Sequence, residues 1–298
     1  MTTVIALGGN ALVRPGERGT AAEQRANLRE TCEALRPLLG DAELVVTHGN
    51  GPQVGNELVR QERAAEEVPP LPLYLAVAQT QAEIGALIES ELAAVAGRPV
   101  ACLLTHVRVN EDDPAFAEPT KPVGPFYSEE QARRLEAERG WTVIPDAGRG
   151  WRRVVPSPEP LEIVELAAIR ALVATGTIAV ACGGGGIPVS SRNGRLSGID
   201  AVIDKDRASA LLATALGAER LVILTAADAV YRDFGGPGQE AIDALDADDA
   251  EALLPELPEG SMRPKVEAAV AFVRATGGEA LITSPAALGE GGGTRITR

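Results

Sequence analysis

Three short apolar runs in this chain each stop at a glycine-rich turn. Thr3 to Leu7 leads into Gly8-Gly9-Asn10, Glu43 to Thr47 into His48-Gly49-Asn50-Gly51-Pro52, and Ile178 to Cys182 into Gly183-Gly184-Gly185-Gly186. Short runs that are apolar throughout, bounded by turn residues, read as parallel strands buried on both faces. In an open α/β sheet, ligands bind beyond the carboxyl ends of such strands. Turns without Cβ atoms would let a ligand approach the bare backbone, and their N–H groups suit an anion. A flexible loop is the competing reading of the four-glycine stretch.

Helical patterns alternate with these runs. A helix is expected from a Thr20 cap to about Leu39, closed by Gly40-Asp41, with Leu28, Cys32 and Leu35 on one face. Leu73 to Ala96 is a long Ala-rich helix ended by Gly97, and Val100 to Val109 is the next strand. Pro160 to Thr175 reads as a helix, Ala201 to Asp204 as a short strand, and Asp206 to Leu216 as the helix after it. Arg220 to Thr225 is a strand, Asp228 to Gly238 a polar loop, and 240–259 a solvated acidic helical face. Gly260-Ser-Met-Arg-Pro-Lys265 opens a helix with Val266, Val270 and Val273 inward, and Glu279 to Thr283 is the last strand. This alternation predicts an α/β fold, an open mostly parallel sheet sandwiched by helices. The chain reads as a single domain, 1–298, interrupted at 110–155 by a proline-rich, protruding subdomain. That insert carries both tryptophans, a short helix capped by Ser128, and Lys121 between two prolines.

The basic residues are unevenly chosen. Of 28 cationic side chains only Lys121, Lys205 and Lys265 are lysine; the rest are arginine. A compact ammonium with three rotatable donors differs from a planar guanidinium, so positions that resist the arginine bias are candidates for a point charge. Lys205 and Asp206 stand at a strand-to-helix junction. Lys265 lies in a helix's first turn, where the macrodipole disfavours a cation unless an anion binds there. Surface lysines left by chance are the competing reading. The net charge of −14 argues against a nucleic-acid or anionic-membrane binder but not against a small anion held by a few cations. Three scattered cysteines form no disulfide framework or zinc spacing and read as buried thiols of a reducing compartment. With no secretory pattern at the start and no run of membrane-spanning length, a cytoplasmic protein is expected.

Several chemistries are excluded. No lysine follows a glycine, so the P-loop is absent. Pro188 breaks the dinucleotide pattern after the four glycines, and no Gly-x-Ser-x-Gly elbow occurs. His48 and His106 have no metal spacing; His48 could polarise a ligand from its turn, though loop packing is the stronger reading, and His106, within a strand pattern, reads as structural. Backbone donors, isolated cations and one adjacent Asp are the inventory of phosphoryl transfer. Asp206 could orient the lysines or simply cap its helix.

In order along nearly the whole chain, several stretches resemble the carbamate kinases of the amino acid kinase fold. They are Ala6-Leu-Gly-Gly-Asn-Ala11, Thr47-His-Gly-Asn-Gly-Pro-Gln-Val-Gly55, Pro119-Thr-Lys-Pro-Val-Gly-Pro-Phe-Tyr127, Arg152-Arg-Val-Val-Pro-Ser-Pro158, Ala181-Cys-Gly-Gly-Gly-Gly-Ile-Pro188, Ala201-Val-Ile-Asp-Lys-Asp206 and Gly260-Ser-Met-Arg-Pro-Lys-Val-Glu-Ala-Ala269. The resemblance implies reversible transfer between ATP and carbamate, giving ADP and carbamoyl phosphate, with Mg²⁺ on the nucleotide, a homodimer, and ATP formation in arginine breakdown. It implies that Lys205 and Lys265 contact the phosphoryl group, that Asp206 orients them, and that Lys121 reaches in from a lid at 110–155. Gly8, Gly9, Asn10, Gly49, Asn50, Gly51, Gly184 and Gly185 would hold carbamate and phosphate; Thr225, Asp228, Tyr231, Met262 and Lys265 would hold the nucleotide. The chain departs from the family's usual residues at Ala226, at Trp151 and over Ala82-Glu83-Ile-Gly-Ala86. Another small-carboxylate kinase of this fold, or an inactive nucleotide-binding regulator, are the alternatives.

Overall fold

A computed structural model of the chain describes residues 1–40, 43–146, 150–258 and 260–298. Asp41, residues 147–149 of the insert and Glu259 of the acidic run lie outside the described residues. An eight-stranded sheet runs in the order Ala244–Asp246, Thr294–Thr297, Glu279–Thr283, Arg220–Leu224, Thr2–Leu7, Glu43–His48, Ile178–Val180, Val100–Cys102. Every neighbouring pair is parallel except Glu279–Thr283 with Thr294–Thr297. The period-two side-chain alternation divides each central strand between two cores. Ile5 and Leu7 face one side, where Leu28 and Cys32 of the Ala21–Ala34 helix and Ile84, Ile88 and Leu92 of Leu73–Ala96 close the core. Val4 and Ala6 face the other, against Leu212 of Lys205–Leu216 and Phe272 and Val273 of Arg263–Thr276. Burial on both faces is why these strands are continuously apolar.

Several boundaries differ from the sequence expectation, each for a local reason. The first helix starts at the expected cap, where Thr20 and Glu23 bond reciprocally, but ends at Ala34. Pro37 then stands in a short 3₁₀ turn, where its missing N–H is tolerated. The Val100 to Val109 run is two strands in two sheets, because buried Thr105 between them donates its N–H to Gln81 Oε1 at 2.6 Å. Residues expected to begin the helix at Pro160 instead pair Glu162–Ile163 with His106–Arg108, and the helix is Leu166–Ala174. No strand forms at Ala201 to Asp204. The loop at Asp228 contains a hairpin, Val230–Arg232 with Glu240–Ile242. The acidic run is only partly helical (Ala247–Leu253), since Asp246 accepts the N–H groups of Asp248 and Asp249 and so starts the helix late. Thr294–Thr297, unforeseen after three glycines, adds a strand beyond Glu279–Thr283. Cys32 and Cys182 are buried, Cys102 only half-buried, and all three are free. No helix among the described residues is long and apolar enough to cross a membrane.

Within the insert, Lys121–Tyr127, Trp151–Val155 and Thr142–Pro145 form a three-stranded antiparallel sheet backed by the Ser128-capped helix Glu129–Arg139. This unit rests on the main body. Val123 and Val155 join Val54, Val77 and Val202 in a separate apolar cluster. Gly124 lies against Gly55 of the Gly51–Ala64 helix so closely that a Cβ on Gly55 would overlap the Gly124 backbone.

Candidate active site

Five parallel strands deliver their carboxyl ends to one edge of the sheet: Gly8, Gly49, Thr225 and Ser284 follow four of them directly, and the Gly183–Gly185 turn follows Ile178–Val180 after two residues. The four-glycine turn does not offer the open cradle expected of it. All its glycines are buried, and the space their Cβ atoms would fill is already occupied: by His48 and Gln81 at Gly183, Asn50 at Gly184, Ile203 at Gly185 and Val107 at Gly186. Gly184, Gly185 and Gly186 all have positive φ, which side chains rarely adopt. This turn is therefore packed shut on its Cβ side. Gly9 and Gly51, by contrast, meet nothing within 4 Å in the Cβ direction, and Gly9 and Asn10 are exposed.

Asn50 is buried above the four-glycine turn and donates to Thr80 Oγ1 at 3.0 Å, which fixes its amide. His48 is fully buried and neutral. Its Nδ1–H donates to the Gly49 carbonyl at 3.0 Å, Nε2 faces Gly183 without a hydrogen bond, and burial with Lys205 nearby pushes its pKa down to about 4. That burial agrees with the packing reading of His48. His106 pairs with Glu165 at 2.8 Å.

The lysines converge. The Lys205–Leu216 helix is tied to the sheet by Thr47 Oγ1 and Ser209 Oγ, 2.6 Å apart, and Ser209 also donates to the Lys205 carbonyl. The Lys205 stem passes 3.6 Å from where a Gly49 Cβ would be, and its ammonium binds Asp206 Oδ1. Lys265, from the first turn of Arg263–Thr276, reaches Asp206 Oδ2 at 3.2 Å and the Ser261 carbonyl at 3.1 Å. Asp206 is 3% exposed. Burial pushes its carboxyl up, but Lys205 and Lys265 outweigh that and hold it below the usual range. Burial, helped by Lys265, lowers Lys205 despite Asp206. Two half-buried ammonium groups clamped on one carboxylate make a fixed cation pair at a helix N-terminus. Asp206 is not that helix's cap; Asp204 is, accepting the N–H groups of Asp206 and Arg207. Sequence reasoning missed Asp204, although an Asp directly before a helix was the available signal. Lys121 reaches this edge too, its ammonium 2.6 Å from Asp204 Oδ2.

Gly8, Asn10, Thr225, Ala226, Asp228 and Ser284, with Glu30, Thr31 and Ala34 of the Ala21–Ala34 helix, line a cavity of about 560 Å³ that no lysine lines, and Asp228 accepts from Ser284. Tyr231 and Met262 are not in its lining. Tyr231 meets the Phe234 ring at a tilt, centroids 5.7 Å apart, in the hairpin, and Met262 packs against the core at the start of the Lys265 helix. A comparable cavity of about 580 Å³ lies at the amino ends of the strands, around Glu219 and Gly277, likewise with no lysine in its lining.

The amino acid kinase family model matches residues 1–284. The carbamate kinase of Thermococcus kodakarensis is 45% identical over 94% of this chain and 93% of its own length. That of Halobacterium salinarum is 46% identical over 95% and 92%. Carbamate kinase from Giardia lamblia bound to citric acid superposes with a TM-score of 0.93 at 38% identity, covering 99% of this chain and 98% of that one. The same enzyme bound to AMP-PNP superposes with a TM-score of 0.90 at 38% identity over the same shares. With the lysine cluster at the carboxyl edge of the sheet and these relatives spanning nearly its whole length, the chain belongs to the amino acid kinase family, among its carbamate kinases.

Proposed function

We propose that this chain transfers a phosphoryl group reversibly between ATP and carbamate, giving ADP and carbamoyl phosphate. The observation that carries the reading is the pair of ammonium groups, Lys205 and Lys265, held on buried Asp206 beside the Gly49 turn. In-line transfer gathers charge on phosphoryl oxygens, and preorganised cations stabilise it without reorganising. Gly8, Gly9, Asn10, Gly49, Asn50 and Gly51 form the acceptor side, where open Gly9 and Gly51 admit a small planar carboxylate; Gly184 and Gly185 hold that side in place from below. Thr225, Asp228, Tyr231, Met262 and Lys265 form the nucleotide side. A relative solved with AMP-PNP supports nucleotide use. Asp204 and Asp206 are both engaged with lysines, so Mg²⁺ fits best as an ion carried on the nucleotide's phosphates.

In the same reading the 110–155 segment is a lid that closes over the reacting groups and keeps water from a hydrolysable product. The enzyme works as a cytoplasmic homodimer making ATP in arginine breakdown. The test is a coupled assay of ATP formation from ADP and carbamoyl phosphate, run beside ATP with acetylglutamate, aspartate or UMP. Turnover confined to carbamoyl phosphate is expected. Faster turnover with another acceptor would replace carbamate, and a rise in Tm with Mg²⁺-ADP but no turnover on any pair would mark an inactive regulator.

A further inference from the structure

Asp204 uses its two oxygens for two separate tasks. Oδ1 accepts the N–H groups of Asp206 at 2.8 Å and Arg207 at 3.2 Å, closing the N-terminus of the helix that carries Lys205 and Asp206. Oδ2 accepts from the Lys121 ammonium at 2.6 Å, across 83 residues of chain. Lys121 is the first residue of the subdomain sheet. One carboxylate therefore joins the insert to the helix bearing the other cations.

We propose that Asp204 is the positioning residue that places the Lys121 ammonium at the reacting phosphoryl group. The inference rests on the phosphoryl-transfer reading above and adds a residue to it. An ammonium has three donors, and one bond to Asp204 leaves the others for phosphoryl oxygens. Three ammonium groups gather at this edge with two carboxylates, leaving one net positive charge for an incoming anion. Without the Asp204 charge, Lys205 and Lys265 repel Lys121, and its flexible stem turns to water. Burial pushes the Asp204 carboxyl up, but Lys121 and Lys205 outweigh it, so the group is ionised at working pH. The remainder of the subdomain's seat is independent of this bond. It consists of the Val123–Val155 cluster on Val54, Val77 and Val202, and of Glu62 paired with Arg139 at 2.6 Å and Arg153 at 3.5 Å. Losing the Asp204 charge thus releases Lys121 and its strand end without detaching the subdomain.

The test is Asp204→Asn, since asparagine caps a helix as well as aspartate does but cannot pair with an ammonium. Expected are an unchanged Tm, a fall in kcat for ATP formation of ~10-fold or more, and less than about a twofold change in KM for ADP. Lys121→Ala should lower kcat in the same way, and the double variant should be no slower than Lys121→Ala alone. Hydrogen exchange in the Lys121–Tyr127 strand should quicken in both single variants. Full kcat in Asp204→Asn, or losses that multiply in the double variant, overturn the proposal. The exchange readout needs no chemistry. If the wild type makes no ATP from carbamoyl phosphate, the proposed reaction fails, while quickened exchange still places Lys121 on Asp204 and unchanged exchange removes it. Should Asp204→Asn not fold, exchange in Lys121→Ala decides alone: quickened supports the proposal, unchanged overturns it.

Discussion

The turn at Gly49–Gly51 and the turn at Gly183–Gly186 look alike in sequence and have opposite surroundings. At the first, a Cβ on Gly51 would meet nothing within 4 Å, and one on Gly49 would only touch the Lys205 stem at 3.6 Å. At the second, every Cβ position is taken by another residue, and three of the four glycines hold positive φ. Glycine in one turn keeps space clear beside the Lys205 stem. In the other it lets His48, Asn50 and Ile203 close over the backbone. A glycine run after a strand thus locates the functional edge without saying which turn faces the ligand.

The largest effect expected from this contrast is at Lys205, whose stem occupies the clear turn. Lys205→Arg keeps the charge but replaces a point cation with a planar, bulkier one. Turnover should fall roughly 10³-fold, about 4 kcal/mol of transition-state stabilisation, with an unchanged far-UV spectrum. Near wild-type kcat would show that the clear turn accommodates any cation and that lysine scarcity carried no information. Next comes Gly185→Ala in the closed turn, where φ is +89° and the new methyl would strike the Ile203 backbone. Left-handed strain and overpacking together should cost about 3–4 kcal/mol in denaturant unfolding. A loss below about 1 kcal/mol would mean that the turn can shift, and the contrast between the turns would disappear.

His48, which faces Gly183, gives a pH test of the closed turn. Its folded pKa of about 4 lies below the ordinary 6.5, so between those values the unfolded chain binds the extra proton. Stability contributed by the neutral imidazole is complete above pH 6.5 and is lost as pH falls toward 4, in total about 3 kcal/mol. With two histidines in the chain, NMR should show one imidazole that stays neutral to near pH 4; if none does, the closed turn is wetter than described. The smallest effect is expected at Gly9→Ala. Nothing lies within 4 Å and φ is not positive, so stability should change by less than about 0.5 kcal/mol, while kcat/KM for carbamoyl phosphate falls because the methyl enters the cleft. Equal damage to stability and activity would place Gly9 among the packed glycines.

Some parts of the molecule were legible because their cause is local. The Leu73–Ala96 helix ends at Gly97, whose left-handed conformation needs glycine, and Ser128 caps its helix through a reciprocal bond with Gln131. Both are set by residues a few positions apart. The lysines were legible for another reason: in an arginine-rich chain the three positions that remain lysine are the ones the structure brings to one edge. The strand break at Thr105 was not legible, because Gln81, on a distant helix, redirects the chain there. Asp204 was missed because its second oxygen has meaning only once Lys121 arrives from 83 residues away.

The sequence by itself determined the alternation of buried strands and amphipathic helices, the caps, the glycine punctuation and the three chosen ammonium groups, because hydrophobic periodicity and backbone conformation act over one or two turns of chain. Only the tertiary structure decided which glycines stay open and which carboxylate holds which lysine. Those outcomes depend on what packs against each residue, and a charge or a missing Cβ takes its role from neighbours that folding brings together.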